Sequence, residues 1–294
     1  MFTGKKILQL SAAAVLGILF FVQGVAASAE SSDMTLPQLL SEAAQRWQDL
    51  RTEYRKGLEA VANYAQIQDS DRTAVMPEDA SRMRICFDTV NEYNHFSHRK
   101  GGKNELVQAI NEEYAFHLDK EGVEDTWTMR EVYGDASSAR KEQQFFHQLL
   151  WGTAVVFEAL MVEGIWVEDL LKSEGFAVVS IKRIKHNNGD AKSVELQFKS
   201  NCLADKYSKI LGGKILFDTE HFWIIKEYEV RVESLSSDGK TPNIFAGAKR
   251  HLDCQSIDDI PFPQKSEIIY TSDKGEMLSH ILTEFVSVKR GGDS

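Results

Sequence analysis

The clearest pattern of hydrophobic and polar positions runs from Gly213 to Ser234. An apolar triplet (Ile215, Leu216, Phe217) is followed by a polar stretch, Asp218 to His221, and then by a second apolar run that starts at Phe222. This second run ends in alternation, with Tyr228, Val230 and Val232 on one side and Glu227, Glu229, Arg231 and Glu233 on the other. Period two with one apolar and one charged face is the signature of a half-buried strand. The pattern predicts a β-hairpin, and most other segments can be placed as its neighbours in one antiparallel sheet.

Before the hairpin, Thr35-x-x-Gln38 reads as a capping box, with Pro37 in the first turn and Met34 and Leu39 placed for a hydrophobic staple. Leu36, Leu39, Leu40, Ala43, Ala44, Trp47 and Leu50 follow helical spacing, which predicts an amphipathic helix covering one face of the sheet. Leu58 to Ile67 fits either a continuation of the helix or a first strand, with the strand favoured. Met83 to Phe96 and Glu105 to Ile110 read as strands, the last with a short helical turn as the alternative. Tyr114 to Leu118 and Trp127 to Tyr133 form a hairpin candidate. From about Ser138 the period becomes helical through Phe145, Phe146, Leu149, Leu150, Val156, Phe157, Leu160 and Met161, and Gly164 ends it. Trp166 to Lys172 predicts a second short helix with Gly175 as its C-terminal cap. Strands return at Phe176 to Ile184 and Ser193 to Lys199, joined by Asn187 to Asp190. Ser236 to Pro242 is a turn and Phe245 to Cys254 a strand. Pro261 and Pro263 mark a rigid break, and Glu267 to Tyr270 and Met277 to Val288 are the last strands. Neither a repeat nor a linker divides the chain, so residues 30–294 are expected to form a single α+β domain with a helical insertion at about 138–172.

Residues 1–29 stand apart. Lys5 and Lys6 precede an apolar run from Ile7 to Val22, and Ala27-Ser28-Ala29 fits the small-x-small cleavage rule. A signal peptide cleaved between Ala29 and Glu30 is expected, which makes the protein periplasmic or extracellular, with no integral membrane segment after cleavage. Cleavage would leave 265 of the 294 residues and remove two lysines but no acid, taking the formal charge from −10 to −12. A chain this acidic repels phosphate backbones, so nucleic acid is not an expected partner. An anionic membrane surface would require a local basic patch, which is not visible in the sequence. Export permits a disulfide, but Cys86, Cys202 and Cys254 allow at most one, and the sequence does not choose the pair.

Motifs for chemistry are weak. His95 and His98 have i, i+3 spacing, but at a strand end that spacing points them to opposite faces, and no third ligand accompanies them. His251 and Cys254 also diverge on a strand, in an acidic setting that does not favour a thiolate. Gly101-Gly102-Lys103 and Gly212-Gly213-Lys214 lack the remaining P-loop positions and read as turns. The acidic pairs Asp69/Asp71, Glu112/Glu113 and Asp258/Asp259 read as solvated surface. Nothing implies a catalytic residue, a metal or a cofactor. The aromatic and methionine stripe of the insertion has two readings: it packs the core, or part of it faces a cavity.

Several phrases carry a resemblance: NEEYAFHLDK with DTWTMREV, GIWVEDLLKSEGFAVVSIKRI, GGKILFDTEHFWIIKEYEVRV, and the closing pair after IPFPQKSEI. The chain from about Gln45 to Val288 resembles uncharacterised secreted bacterial proteins similar in layout to the periplasmic outer-membrane lipoprotein carriers and their acceptors. The resemblance implies a strongly curved, half-open antiparallel β-barrel whose apolar concave face is closed by helices, and in the carriers that cavity holds acyl chains. It implies an exported soluble protein that binds an acyl chain or other apolar ligand, with a lipid or lipoprotein acyl chain as partner. Phe157, Met161, Trp166, Phe217, Trp223 and Tyr228 are the candidate cavity lining. The alternative is a non-catalytic envelope interaction or structural module with a filled core.

Overall fold

The structure, a computed structural model, describes residues 31–67, 75–87, 92–97, 105–111, 113–122, 126–134, 157–185, 191–204, 208–235 and 242–290. The expected leader, the turns at 98–103, 187–190 and 236–241, the acidic pair Asp69/Asp71 and the insertion from Ser138 to Val156 lie outside these residues.

Strand β1 (Ser31–Asp33) leads into helix α1 (Leu36–Arg55), and strands β2 (Leu58–Ile67), β3 (Ser81–Phe87), β4 (Glu92–Ser97), β5 (Glu105–Ile110), β6 (Ala115–Lys120) and β7 (Thr128–Tyr133) follow. A 3₁₀ turn (Glu158–Leu160), the short strands β8 (Met161–Val162) and β9 (Ile165–Trp166) and helix α2 (Val167–Lys172) come next. The chain then runs through β10 (Ala177–Lys185), β11 (Ala191–Leu203), β12 (Ser208–Asp218), β13 (Ile224–Leu235), β14 (Pro242–Ile257), β15 (Ile260–Ser272) and β16 (Met277–Arg290). Fourteen strands form one antiparallel sheet in the order β1-β10-β11-β12-β13-β14-β15-β16-β2-β3-β4-β5-β6-β7, and β8 pairs with β9 alone. β1 and β7 are the two edges, so the described strands do not close into a barrel.

The β12–β13 hairpin sits inside this sheet, with Ile215 opposite Tyr228 and Gly213 opposite Val230. Tyr228, Val230 and Val232 are buried, and Glu229 and Arg231 face solvent. The capping box forms as predicted: the Gln38 side chain accepts from the Thr35 backbone N–H at 2.8 Å, and the Thr35 hydroxyl accepts from Gln38 N. Leu39, Ala43, Trp47, Leu50 and Tyr54 form the buried stripe of α1. They join one apolar cluster with Ala60, Met83, Val194, Leu196, Ile210, Ile215, Phe217, Ile225 and Phe262 from the strands. Burial of each large side chain contributes roughly 1.5–3 kcal/mol. Two long-range bonds fix the register of the helix on the sheet. Trp47 Nε1 donates to Trp223 O at 2.8 Å, and the Tyr54 hydroxyl donates to Pro261 O at 2.5 Å.

Five expectations need correction. The predicted single strand from Met83 to Phe96 is two paired strands, β3 and β4, because the chain reverses between Phe87 and Glu92. Helical spacing does not extend to Met161: residues 158–162 form a 3₁₀ turn and a strand, because the chain doubles back at Glu163-Gly164. Gly175 is not the cap of α2, since Ser173 fills that position and Gly175 turns the chain two residues later. Pro261 and Pro263 lie inside β15, opposite Ser256 and Cys254. A register shift at Asp253/Cys254 interrupts the ladder there, where a missing N–H costs least. Gly212 and Gly213 are strand residues rather than a turn. A Cβ on Gly213 would lie 2.2 Å from Glu229 O and 2.7 Å from Val230 Cα, so the close approach of β13 requires glycine.

The acidic pair Asp258-Asp259 forms the β14–β15 turn, with φ of +50° and +64°, the geometry of a two-residue type I′ hairpin. All three cysteines are free, so the one permitted disulfide does not form. No described helix is long and apolar enough to cross a membrane.

Candidate functional site

Alternation along β14 sends Gly247, Lys249 and His251 to the same side, and all three are buried. The segment from Phe157 to Trp166 lies against them and presents two glutamates. Glu158 is buried, and its Oε2 meets Lys249 Nζ at 2.5 Å. Its Oε1 is 3.5 Å from His251 Nδ1, too long and poorly aimed for a hydrogen bond. Glu158 Oε1 and both ring nitrogens of His251 have no hydrogen-bond partner among the described residues.

Glu163 approaches from the tip of the β8–β9 hairpin. Its φ of +49°, with +78° at Gly164, makes the two-residue turn that Val162 and Ile165 flank. The Tyr228 hydroxyl donates to its Oε1 at 3.0 Å and the Tyr270 hydroxyl to its Oε2 at 3.2 Å. Gly247 lies directly across from Tyr270 on one side and Val230 on the other. The carboxylate occupies the space that a side chain at Gly247 would fill: a Cβ there would be 2.6 Å from Glu163 Oε1.

Burial raises the Glu163 carboxyl above the ordinary carboxylate range, against the opposing pull of the two tyrosine hydrogen bonds and of Lys249. Burial, and then the Glu163 charge, push both the Tyr228 and Tyr270 hydroxyls far up. His251 is pushed down to about 4, again mainly by burial, so its imidazole is neutral at neutral pH.

A cavity of about 190 Å³ opens beside His251, with Cys254, Asp218, His221 and Lys226 also on its wall. The sequence places His251 and Cys254 on opposite faces. The two register shifts at Asp253 bring both to this cavity instead. The Asp218 carboxylate is already engaged, accepting from the backbone N–H groups of Glu220 and His221 and meeting His221 Nδ1 at 3.0 Å. Cys254 is exposed as a residue, but crowding of its thiol by neighbouring atoms first, and Asp218 second, push that thiol up to about 11. A nucleophilic cysteine requires the opposite shift, so the pairing does not make a Cys–His nucleophile. Glu163, the carboxyl tuned as an acid, does not line this cavity.

None of the six predicted lining residues borders this cavity: five lie in the buried apolar cluster and Trp166 packs against it. Phe217 packs against Trp47 with ring centroids 5.8 Å apart, and against Trp223 at 6.3 Å. Phe157 stacks edge-on against Trp166 at 5.2 Å and tilts against Tyr54 at 5.5 Å. Trp166 also carries the Arg51 guanidinium over its ring at 3.9 Å. Met161 and Tyr228 are buried in the same cluster. His95 meets Glu105 at 2.9 Å, and His98 lies outside the described residues. No group of metal-ligating side chains converges among the described residues.

The glutamates and Lys249 were not singled out from the sequence. Their signal is present all the same. Glu158 and Glu163 interrupt an apolar run, VVFEALMVEGIW, and Gly247, Lys249 and His251 fall two residues apart on one face of a strand.

No family model matches the chain, and no curated protein matches it. Among solved structures, a DUF1329 family protein from Desulfovibrio piger is 10% identical, with 86% of this chain and 95% of that chain covered at a TM-score of 0.34. A protein described as GphF Dehydratase 1 is 8% identical, with 91% and 88% covered at a TM-score of 0.15. Neither likeness is close enough to carry a fold or a function to this chain.

Proposed function

We propose that the protein is an exported, non-catalytic module of the cell envelope, a strongly curved, half-open sheet whose concave face is filled by its own helix α1. The observation that supports this reading is the packing of that helix. Leu39, Ala43, Trp47 and Leu50 are fully buried and Tyr54 nearly so, in the same cluster that contains Phe157, Phe217, Trp223 and Tyr228. The space that an acyl chain would take is occupied by the protein itself. Native mass spectrometry of the chain from Glu30 onward, purified from its source, tests this directly. Bare protein with no saturable uptake of a fluorescent fatty acid is the expected result. Co-purified lipid or saturable uptake overturns it.

A second reading rests on the gathering of the six predicted residues in or against the apolar cluster that α1 joins. Displacement of α1 would uncover a continuous apolar surface, and the protein would then carry an acyl chain or other apolar ligand, as in the resemblance to lipoprotein carriers. Saturable fatty-acid uptake that strengthens when Trp47→Ala loosens the helix would favour this reading.

A further inference from the structure

The face of the sheet opposite α1 carries a feature that is invisible in the linear chain. Arg82, Arg84, His95 and Lys289, with the hydroxyls of Ser97 and Ser287, line a groove of about 490 Å³. They come from β16, β3 and β4, which β2 brings into neighbouring positions. Three permanent cations therefore converge on the surface of a chain with formal charge −10. Two acids temper them. Glu59 pairs with Arg84 at 2.9 Å, and Glu105 with His95 at the same distance. Arg82 and Lys289 have no ion-pair partner among the described residues.

The groove continues into an apolar row. Cross-strand register aligns Arg84 with His95, His95 with Val107, Val107 with Leu118 and Leu118 with Met129. Met129 is 61% exposed and Trp127 42%. The Trp127 ring stands edge-on to His95 at 6.3 Å, with Lys120 Nζ 6.0 Å from its centroid. A cationic groove that grades into an exposed tryptophan and methionine matches the polar-to-apolar gradient of a bilayer surface.

We propose that this face docks on an anionic bilayer, with the groove taking phospholipid phosphate groups and the Trp127–Met129 end resting among the upper acyl carbons. Arg82 pairs with Asn63 and Lys289 with Glu59, so they stand two strands and four residues apart. That is roughly 15 Å at the backbone, a span that suits neighbouring headgroups better than one small phosphate. The negative charge of the whole chain does not forbid the contact, because screening limits each exposed charge to a range of about 8 Å at physiological ionic strength. This inference is independent of whether the concave face is filled.

The test is co-sedimentation of the chain from Glu30 onward, without the apolar leader that would itself enter a bilayer. Vesicles of phosphatidylcholine with and without phosphatidylglycerol are compared at low and high salt. Binding is expected only with phosphatidylglycerol and to fall at high salt. The double substitution R82Q/K289Q is expected to weaken binding about thirtyfold, with an unchanged circular dichroism spectrum. Equal capture by both vesicle types, no capture at low salt, or capture that survives R82Q/K289Q would overturn the proposal. Saturable binding of glycerol 3-phosphate without vesicle binding would also overturn it, and would assign the groove to a soluble phosphate.

Discussion

Glu163 fits over Gly247 as a plug fits a socket, its Oε1 only 2.6 Å from where a β-carbon on Gly247 would stand. The contact joins the tip of the β8–β9 turn to the middle of β14, and the two tyrosine hydroxyls hold the carboxyl there. Gly247→Ala is expected to push the carboxyl out of its hydrogen bonds and to destabilise the fold by about 1–3 kcal/mol. Urea unfolding measures it. A midpoint unchanged from the parent would show that the plug does not depend on the bare glycine.

The pH dependence of stability carries two opposed contributions. The folded state raises the Glu163 pKa, so it binds that proton more tightly than the unfolded chain does. Stability from this group is present below the ordinary value of 4.5 and is lost as pH rises through the folded value. Glu163→Gln keeps partners for both tyrosines and is expected to remove that loss, leaving the variant relatively more stable as pH rises above 4.5. His251 runs the other way. Its folded value near 4 lies below the ordinary 6.5, so its contribution is present above 6.5 and is lost as pH falls toward 4. That loss has an upper limit of about 3 kcal/mol, and His251→Gln should flatten it. Thermal melts of the parent and both variants from pH 4 to 8 separate the two slopes. Parallel curves for all three proteins would refute both assignments.

The local elements were largely legible in the sequence, and the site was not, for a physical reason. Thr35-Gln38 and the stripe ending at Leu50 define α1 through contacts three and four residues apart, and the alternation of Tyr228, Val230 and Val232 follows from the pleat of a single strand. Both are short-range regularities. Glu163 meets Tyr228, Tyr270 and Gly247 across 65 to 107 positions of chain, and Arg82 and Lys289 line one groove only because β16 and β3 both pair with β2. No periodicity records such meetings. The proline and double-glycine readings failed because residues that break a strand in isolation are accepted where a bulge has already opened the ladder or where two backbones must nearly touch.

Cys254 offers a chemical check on the cavity beside His251. With its thiol pushed up to about 11, the fraction present as thiolate at pH 8 is about one in a thousand. Alkylation of the folded protein by iodoacetamide should be slow at Cys254 and should accelerate steadily as pH rises past 8, until the protein unfolds. Peptide mass spectrometry after timed labelling reads the rate at this residue alone. Rapid labelling at pH 7 would mean a lowered pKa and would reopen the Cys–His reading.

One hydrogen bond ties α1 to the β12–β13 turn, beside the Arg46 guanidinium 6.0 Å from the Phe222 ring. Trp223 holds a left-handed backbone with φ of +58°, following Phe222 at +56°, and neither residue adopts that region without support. Trp47 supplies the support by donating its indole N–H to Trp223 O at 2.8 Å inside the core. Trp47→Phe keeps an aromatic ring against Phe217 but leaves that carbonyl buried without its donor, which should cost about 1–3 kcal/mol. Trp47→Ala adds a cavity and should cost about 3–5 kcal/mol. The interval between the two variants, read from denaturant unfolding, distinguishes the bond from the packing. If Trp47→Phe proves as stable as the parent, the turn is held by the burial of Trp223 itself, and the helix is free to leave without disturbing it.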